Sequence, residues 1–279
     1  MNKKIKIVAD SSSDVFFIAD VEFESAPLKI ITDEKQYVDN DELDAHQMAT
    51  YLQNYKGKSS TSCPNVDDWL SAFGDAEEIY CVTITSTLSG SNNTARIAAE
   101  TYIEEHPERR VFVLDSLSTG PEMGLMIDKL RELILEEKSF ETVCDEITQY
   151  TKTTGLLFVL ESMKNLANNG RVSSIAAKMA GILGIRAIGK ASDRGDLEML
   201  DKCRGEKKAL ETIILRLREL GLRDGKVKIG HCSNESAART LEELIIKEFT
   251  GATVEVYRCR GLCTFYAEMG GLLIGFEKA

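Results

Sequence analysis

Short apolar runs recur through the first half of the chain, each closed by hydroxyl or acidic residues and followed by a segment of helical spacing. "IKIVAD" (Ile5 to Asp10) runs into "SSSD", Ile79 to Ile84 into "TSTLSGSN", and "RVFVLDS" (Arg110 to Ser116) into "LST". "APLKIIT" (Ala26 to Thr32) is a fourth run. Apolar runs of this length bounded by turn residues predict buried strands. Between them, Ala95, Ala98, Ala99, Tyr102 and Ile103 recur at i, i+3, i+4, i+7 and i+8, one face of a helix. Helices are also expected over Asp44 to Tyr55, Asn65 to Phe73 and Glu141 to Lys152, and after Pro121, where Ser118 and Thr119 precede the proline. "TSCP" (Thr61 to Pro64) reads as loop. Strand and helix alternate, which predicts an α/β fold with a mostly parallel sheet.

The texture changes at "GLLFVLES" (Gly155 to Ser162), and a helix-rich stretch is expected from there to Gly184. "IRAIGKASDRGDLEMLDKC" reads as a hairpin turning at Asp193 to Asp196. A helix over Glu206 to Leu220, a strand over Lys226 to His231, and a helix with Ala237, Ala238, Leu241, Leu244 and Ile245 on one face follow. A strand over Thr253 to Tyr257 and the apolar "GGLLIGF" complete the pattern. The 279 residues suit two domains. Residues 1–152 are expected to form an N-terminal α/β domain with a mostly parallel sheet flanked by helices. Residues 153–279 are expected to form a C-terminal α/β domain with a mixed or antiparallel sheet.

Composition narrows the function. No stretch approaches the ~20 apolar residues of a membrane span, and "MNKKIKIVADSSSD" lacks the apolar core of a signal peptide. A cytoplasmic protein is expected. The formal charge of −11 argues against general nucleic-acid binding. Two basic clusters, Lys202 to Lys208 and Arg216 to Lys228, read first as solvated faces. The seven cysteines have no zinc or redox spacing, and several sit in apolar runs as small buried hydrophobes. The three histidines are far apart, so no histidine-based metal site is expected.

The polar strand ends carry the candidate chemistry. In open parallel sheets ligands bind beyond the carboxyl ends of strands, where helix starts present unpaired N–H groups and a positive dipole end. "TSTLSGSN" (Thr85 to Asn92) has five hydroxyls and a glycine at such a place, and "SSTS" (Ser59 to Ser62) is a second hydroxyl run. A serine or threonine there is either a helix cap or a donor to an anion; capping needs only one such oxygen, and the spacing leaves both roles open. The chemistry is not that of a catalytic phosphate loop, because GxxxxGK[ST] is absent, nor of a nucleophile elbow, because GxSxG is absent. A serine with Asp115 and His231 would make a triad-type hydrolase, the enzymatic alternative.

Four segments in order, "VADSSSD" (Val8 to Asp14), "TSCP" (Thr61 to Pro64), "ITSTLSGS" (Ile84 to Ser91) and "LANNGRVS" (Leu166 to Ser173), make the chain resemble the DegV family over nearly its whole length. Members of that family are bacterial proteins that bind a fatty acid and present it to a separate kinase subunit. The resemblance implies a two-domain α/β protein with the lipid tail between the domains and no cofactor or catalytic residue of its own. It implies that Thr61 and Ser62, with Ser86, Ser89, Gly90 and Ser91, grip the carboxylate. It assigns Arg171, and a second basic position near Lys202 or Arg204, to the face that meets the kinase. Tyr266 stands where members carry a head-group histidine, and Ala187 where many carry a proline. Tyrosine can still donate to a carboxylate, but the departure opens a further alternative, a lipid sensor that no longer serves a kinase. "SSIAAKMAGILGI" (Ser173 to Ile185) is suited to shaping an apolar tunnel or to being an ordinary core helix.

Overall fold

The computed structural model describes residues 3–172 and 184–279. Most of the aliphatic stretch expected to shape a tunnel, residues 173–183, lies outside the described residues. The first sheet is parallel throughout, in the order β2-β1-β6-β7, formed by β1 (Ile5–Asp10), β2 (Glu22–Ala26), β6 (Glu78–Thr83) and β7 (Arg110–Asp115). β1 is apolar from Ile7 to Ala9 and β6 from Ile79 to Val82 because both faces are covered there. Ile7, Ala9, Tyr80 and Val82 pack with α4 (Pro121–Leu135) and α5 (Phe140–Tyr150). Val8, Ile79 and Cys81 pack on the other side with α2 (Val66–Phe73) and α3 (Ser91–Glu105). Asn65 starts α2 with a capping box to Asp68, which stops the chain cleanly between loop and helix. Ile103, expected on the buried face of α3, is 37% exposed. It lies about 80° round the helix from Ala95, on the shoulder of the apolar stripe rather than in it.

The expected strand from Ala26 to Thr32 is two strands. Pro27 has no N–H to give a ladder, and the next N–H, of Leu28, is taken by Ser11 Oγ at 3.0 Å. The chain therefore leaves the parallel sheet at Ala26 and enters a small antiparallel one, ordered β4-β3-β5, with β3 (Lys29–Thr32), β4 (Gln36–Val38) and β5 (Ser59–Ser62). Thr61 and Ser62, expected in a loop, are thus edge-strand residues opposite Ile30 and Lys29. "SSTS" carries no apolar alternation to betray a strand; backbone pairing alone makes it one. α1 (Ala45–Asn54), capped by Asp44, follows β4.

The third sheet is mixed, in the order β10-β9-β8-β13-β11-β12. Its strands are β8 (Thr154–Leu160), β9 (Ile185–Ala191), β10 (Leu197–Arg204), β11 (Lys226–His231), β12 (Thr253–Arg258) and β13 (Leu272–Glu277), and only β11 and β12 pair in parallel. Leu157, Val159, Ile188, Ile229 and Ile274 face α7 (Glu206–Glu219) and α8 (Glu235–Glu248). Leu156, Phe158, Leu160 and Leu273 form the opposite face. The strands of the first two sheets all precede residue 116, and those of the third all follow residue 153. Two short helices, α6 (Lys164–Asn168) and α9 (Gly261–Ala267), and two 3-10 turns, Ser11–Ser13 and Thr151–Thr153, complete the described elements.

Helix α4 joins the two larger sheets. Its buried residues include Met123, Met126 and Leu130 toward the first sheet, while its N-terminus lies on β13. Part of the second basic cluster is spent on this contact: Lys226 pairs with Glu132, and Lys228 with Asp128 at 2.9 Å. Arg216 pairs with Asp201 and Glu219.

The approach is closest at Gly275, where an added Cβ would lie 2.5 Å from Glu122 N and from Pro121 C. Both are backbone atoms, so Gly275→Ala has to lift the helix from the strand. It is expected to cost about 1–3 kcal/mol, read as a lowered urea midpoint. An unchanged midpoint would show that the helix is not seated there.

Candidate functional site

In the order β2-β1-β6-β7 the chain moves to opposite sides of β1, so the crevice beyond the ends of β1 and β6 is the topological switch point. Asp10 ends β1 there, fully buried. Its carboxylate accepts Ile84 N–H at 2.9 Å, Ser91 Oγ–H at 2.6 Å, and both the N–H and hydroxyl of Ser12. Burial raises its pKa, with the bonds from Ser12, Ser91 and Ile84 acting against that rise. One side chain thus ties the turn after β1 to the segment after β6 and to the first residue of α3.

The hydroxyls of Thr85 to Asn92 divide by role. Ser91 is buried and committed to Asp10. Thr87 Oγ1 donates to Gly195 O at 2.8 Å, and Thr85 Oγ1 shares a 3.0 Å hydrogen bond with it, so these two seat the β9–β10 turn. Ser86 is exposed, and its N–H is held by the Asp115 carboxylate at 3.2 Å. Ser89 faces the cavity described next. Asn92 Nδ2 donates to Thr83 Oγ1 at 3.0 Å, anchoring the first turn of α3 to β6.

A cavity of about 260 Å³ opens between the first and third sheets. Leu28, Ile84 and Leu262 wall it on one side and Leu156, Phe158, Leu160 and Leu273 on the other. Its polar lining gathers Thr61, Ser62, Cys63, Ser89, Gly90, Arg171 and Tyr266. Thr61 Oγ1 and Tyr266 OH are 2.7 Å apart. Gly90 is the N-cap residue of α3 and makes no side-chain cap; Ser91 N–H donates to Ser89 Oγ at 3.3 Å, so Ser89 bridges the helix start and this group. The φ of Gly90, −75°, does not require glycine; its missing side chain leaves space beside Cys63, whose Sγ would be 3.4 Å from an added Cβ. The arrangement offers hydroxyl donors and a positive helix end to an anion, beside an aliphatic chamber.

The structure therefore brings Thr61, Ser62, Ser89, Gly90, Tyr266 and Arg171 to one cavity. Ser86 and Ser91 do not line it, and Arg204 is exposed at the end of β10. Thr119 and Cys263 line it without having been expected to. Asp115 and His231 form no triad. Asp115 accepts backbone N–H groups of Ser86 and Leu117, the buried His231 has no partner for Nδ1, and no hydrogen bond among the described residues joins either side chain to a serine hydroxyl. Burial lowers the pKa of His231. Among the described residues no cluster of three or more His, Cys, Asp or Glu is placed to hold a metal ion, and no helix is long and apolar enough to cross a membrane.

Tyr266 and Cys263 are positioned by α9, a helix with almost no exposed face and hence no amphipathic signal. Its start is capped from a distance: Asp39 accepts Gly261 N–H at 2.8 Å and Leu262 N–H at 2.9 Å. The buried Arg260 donates to Val15 O at 2.7 Å and Asp39 O at 2.8 Å, and its N–H goes to Asp14 Oδ1 at 2.7 Å. Asp14 is buried with φ of 61°, and its Oδ2 has no partner.

The chain matches the family described as "Uncharacterised protein, DegV family" over residues 4–278. It is 41% identical over 276 residues to a DegV domain-containing protein of Streptococcus pneumoniae, covering 98% of each chain. Among solved structures it is similar to a DegV family protein of Eubacterium eligens loaded with heptadecanoic acid, at 42% identity and a TM-score of 0.97, over 99% of this chain and 100% of that one. It is equally similar in fold to the Fatty Acid Kinase (Fak) B3 protein of Streptococcus pneumoniae loaded with linoleic acid, at 41% identity, TM-score 0.97, and 99% and 100% coverage.

Burial pushes Asp14 up to about 7, the Arg260 N–H acting against this and the Asp39 charge adding to it. A carboxyl raised on folding stabilises fully below its unfolded value, and that stability is lost as pH rises to its folded value. The wild type is therefore expected to lose stability from this group between about pH 4 and 7. Asn at this position keeps the shape, tolerates the left-handed backbone and does not titrate. Thermal melts at pH 5 and 8 should show a smaller pH difference in Asp14→Asn than in wild type; equal differences would refute the burial of a titrating carboxyl.

Proposed function

Because the chain belongs to the DegV family, we propose that it binds a long-chain fatty acid and presents it to a separate kinase subunit, which forms the acyl phosphate. The observation that carries this reading is the cavity, aliphatic on two sides and ended by a cluster of hydroxyls at the start of α3. A carboxylate needs only donors: Thr61, Ser62, Ser89 and Tyr266 supply hydroxyls, and the first N–H groups of α3 add a positive pole beside Gly90. The tail lies against Leu156, Phe158, Leu160 and Leu273, gaining about 0.8 kcal/mol per buried CH₂. Two relatives of the same fold, at 42% and 41% identity, hold heptadecanoic and linoleic acid. The second is named a fatty acid kinase B3 protein, which supports the kinase partner.

The chain acts as a binder rather than a catalyst; the chemistry belongs to its partner. Residues 1–152 and 153–279 act as two domains with the ligand between them. Arg171 lies at the cavity and would face the kinase beside the carboxylate, with Arg204 on the same partner surface. Tyr266, in place of a histidine, is held by Thr61 and completes the grip through its hydroxyl.

Denaturing protein purified from its host and analysing the extract by mass spectrometry is expected to release a long-chain acid. An empty chain that also fails to bind fatty acid in titration would overturn the reading. Thr61→Val and Ser89→Ala should each weaken fatty-acid binding by about tenfold, the loss of one hydrogen bond to a charged group. With the cognate kinase, Arg171→Glu should lose acyl-phosphate formation by a larger factor than it loses lipid. Equal coupling before and after the reversal would refute the docking role. A wild-type protein that retains lipid while no kinase accepts it would make it a sensor.

A further inference from the structure

The lining of the cavity holds one polar place apart from the hydroxyl cluster. Thr119 and Cys263 sit among Leu156, Leu262 and Leu273, and both turn their polar atoms to a single acceptor, the carbonyl of Ser12. Three donors converge on that oxygen: Gly120 N–H at 2.7 Å, Cys263 Sγ at 3.3 Å and Thr119 Oγ1 at 3.4 Å. A carbonyl oxygen has two lone pairs, and Thr119 is the most distant of the three. Its other neighbour, Cys263 Sγ at 3.8 Å, is a weak acceptor. The Thr119 hydroxyl therefore retains a poorly used donor and free acceptor capacity at the wall of an aliphatic chamber. The backbone beside it is held by the 2.7 Å bond from Gly120 N–H to the same oxygen. Cys263 precedes Tyr266 by three residues on α9, about 4.5 Å of helix rise, which sets this place along the ligand rather than at its carboxylate.

We propose that Thr119, beside Cys263, makes the cavity selective for long-chain acids that carry an oxygen on the chain, hydroxy or oxo acids, over unsubstituted ones. This deepens the fatty-acid reading and rests on it. A plain alkyl chain covers the hydroxyl, leaving its free acceptor capacity unused and its long bond to Ser12 O unimproved, which is unfavourable. An alcohol or ketone on the chain pairs it and is itself paired.

The test is competitive titration of delipidated full-length protein with octadecanoic acid, its 3-, 10- and 12-hydroxy derivatives and the 10-oxo derivative. The affinity of at least one oxygenated acid, taken as a ratio to octadecanoic acid, should fall about tenfold in Thr119→Val. Thr119→Ser, which keeps the hydroxyl, should retain the ratio. If Thr119→Val does not fold, Thr119→Ala carries the same comparison. Ratios that are the same in wild type and the hydroxyl-free variant for every probe would overturn this proposal alone. Failure of the wild type to bind any of the acids would overturn it together with the reading beneath it.

Discussion

The placing of the hydroxyl end of the cavity depends on one buried carboxylate. Asp10 sits at the end of the strand where the parallel sheet changes direction, and every hydrogen bond it accepts comes from a segment that borders the crevice. A charge removed from water is tolerated only if donors replace the water. Satisfying Asp10 therefore dictates where Ile84, Ser91 and the Ser11–Ser13 turn must be. Once Ser91 is fixed, α3 starts at a defined point, and Ser89 and Gly90 are delivered to the cavity. Once Ser12 is fixed, its carbonyl receives Gly120 and sets the start of α4.

Another part of the cavity lining is held by a second buried polar group built across the sequence. Asp39 comes from the loop after β4, Asp14 from the turn after β1, and Arg260 from the segment before α9. Together they start a short helix that has few other local reasons to form and aim its tyrosine at Thr61. The two networks share the turn that follows β1, Ser11 to Asp14. That turn links the parallel sheet to the helix bearing Tyr266.

What could be seen in the sequence follows from which signals are local. β1, β6, β7 and α2 are marked by apolar runs and a capping pair, and each forms within a residue or two of its expected place; α3 covers the expected face from Ala95 to Ile103 but starts earlier, at Ser91. β5 and α9 were hidden for opposite reasons, one having no apolar side of its own and the other no polar side. The hydroxyl run after β6 was recognisable as bordering the crevice beyond the strand ends, but not which of its members lines the cavity. Ser91 and Thr87 are consumed by Asp10 and Gly195, partners 81 and 108 residues away. The cavity wall was invisible because β8 is apolar on both faces. Leu157 and Val159 serve a packed core, while Leu156, Phe158 and Leu160 serve the chamber, and composition cannot separate them. Tyr266 was singled out through the family resemblance, not through spacing.

The chamber is bordered by side chains that also belong to the cores behind the two larger sheets. An occupant of that space touches the same leucines and phenylalanine that hold each layer together, so it takes the position of a missing core side chain. A fatty acid bound there as proposed completes the interior with a molecule the chain does not encode. The protein's resistance to heat or denaturant then scales with the supply and affinity of that molecule, by the ordinary law of ligand linkage. Two preparations of identical sequence, drawn from cells of different lipid content, would differ in robustness as two core mutants do.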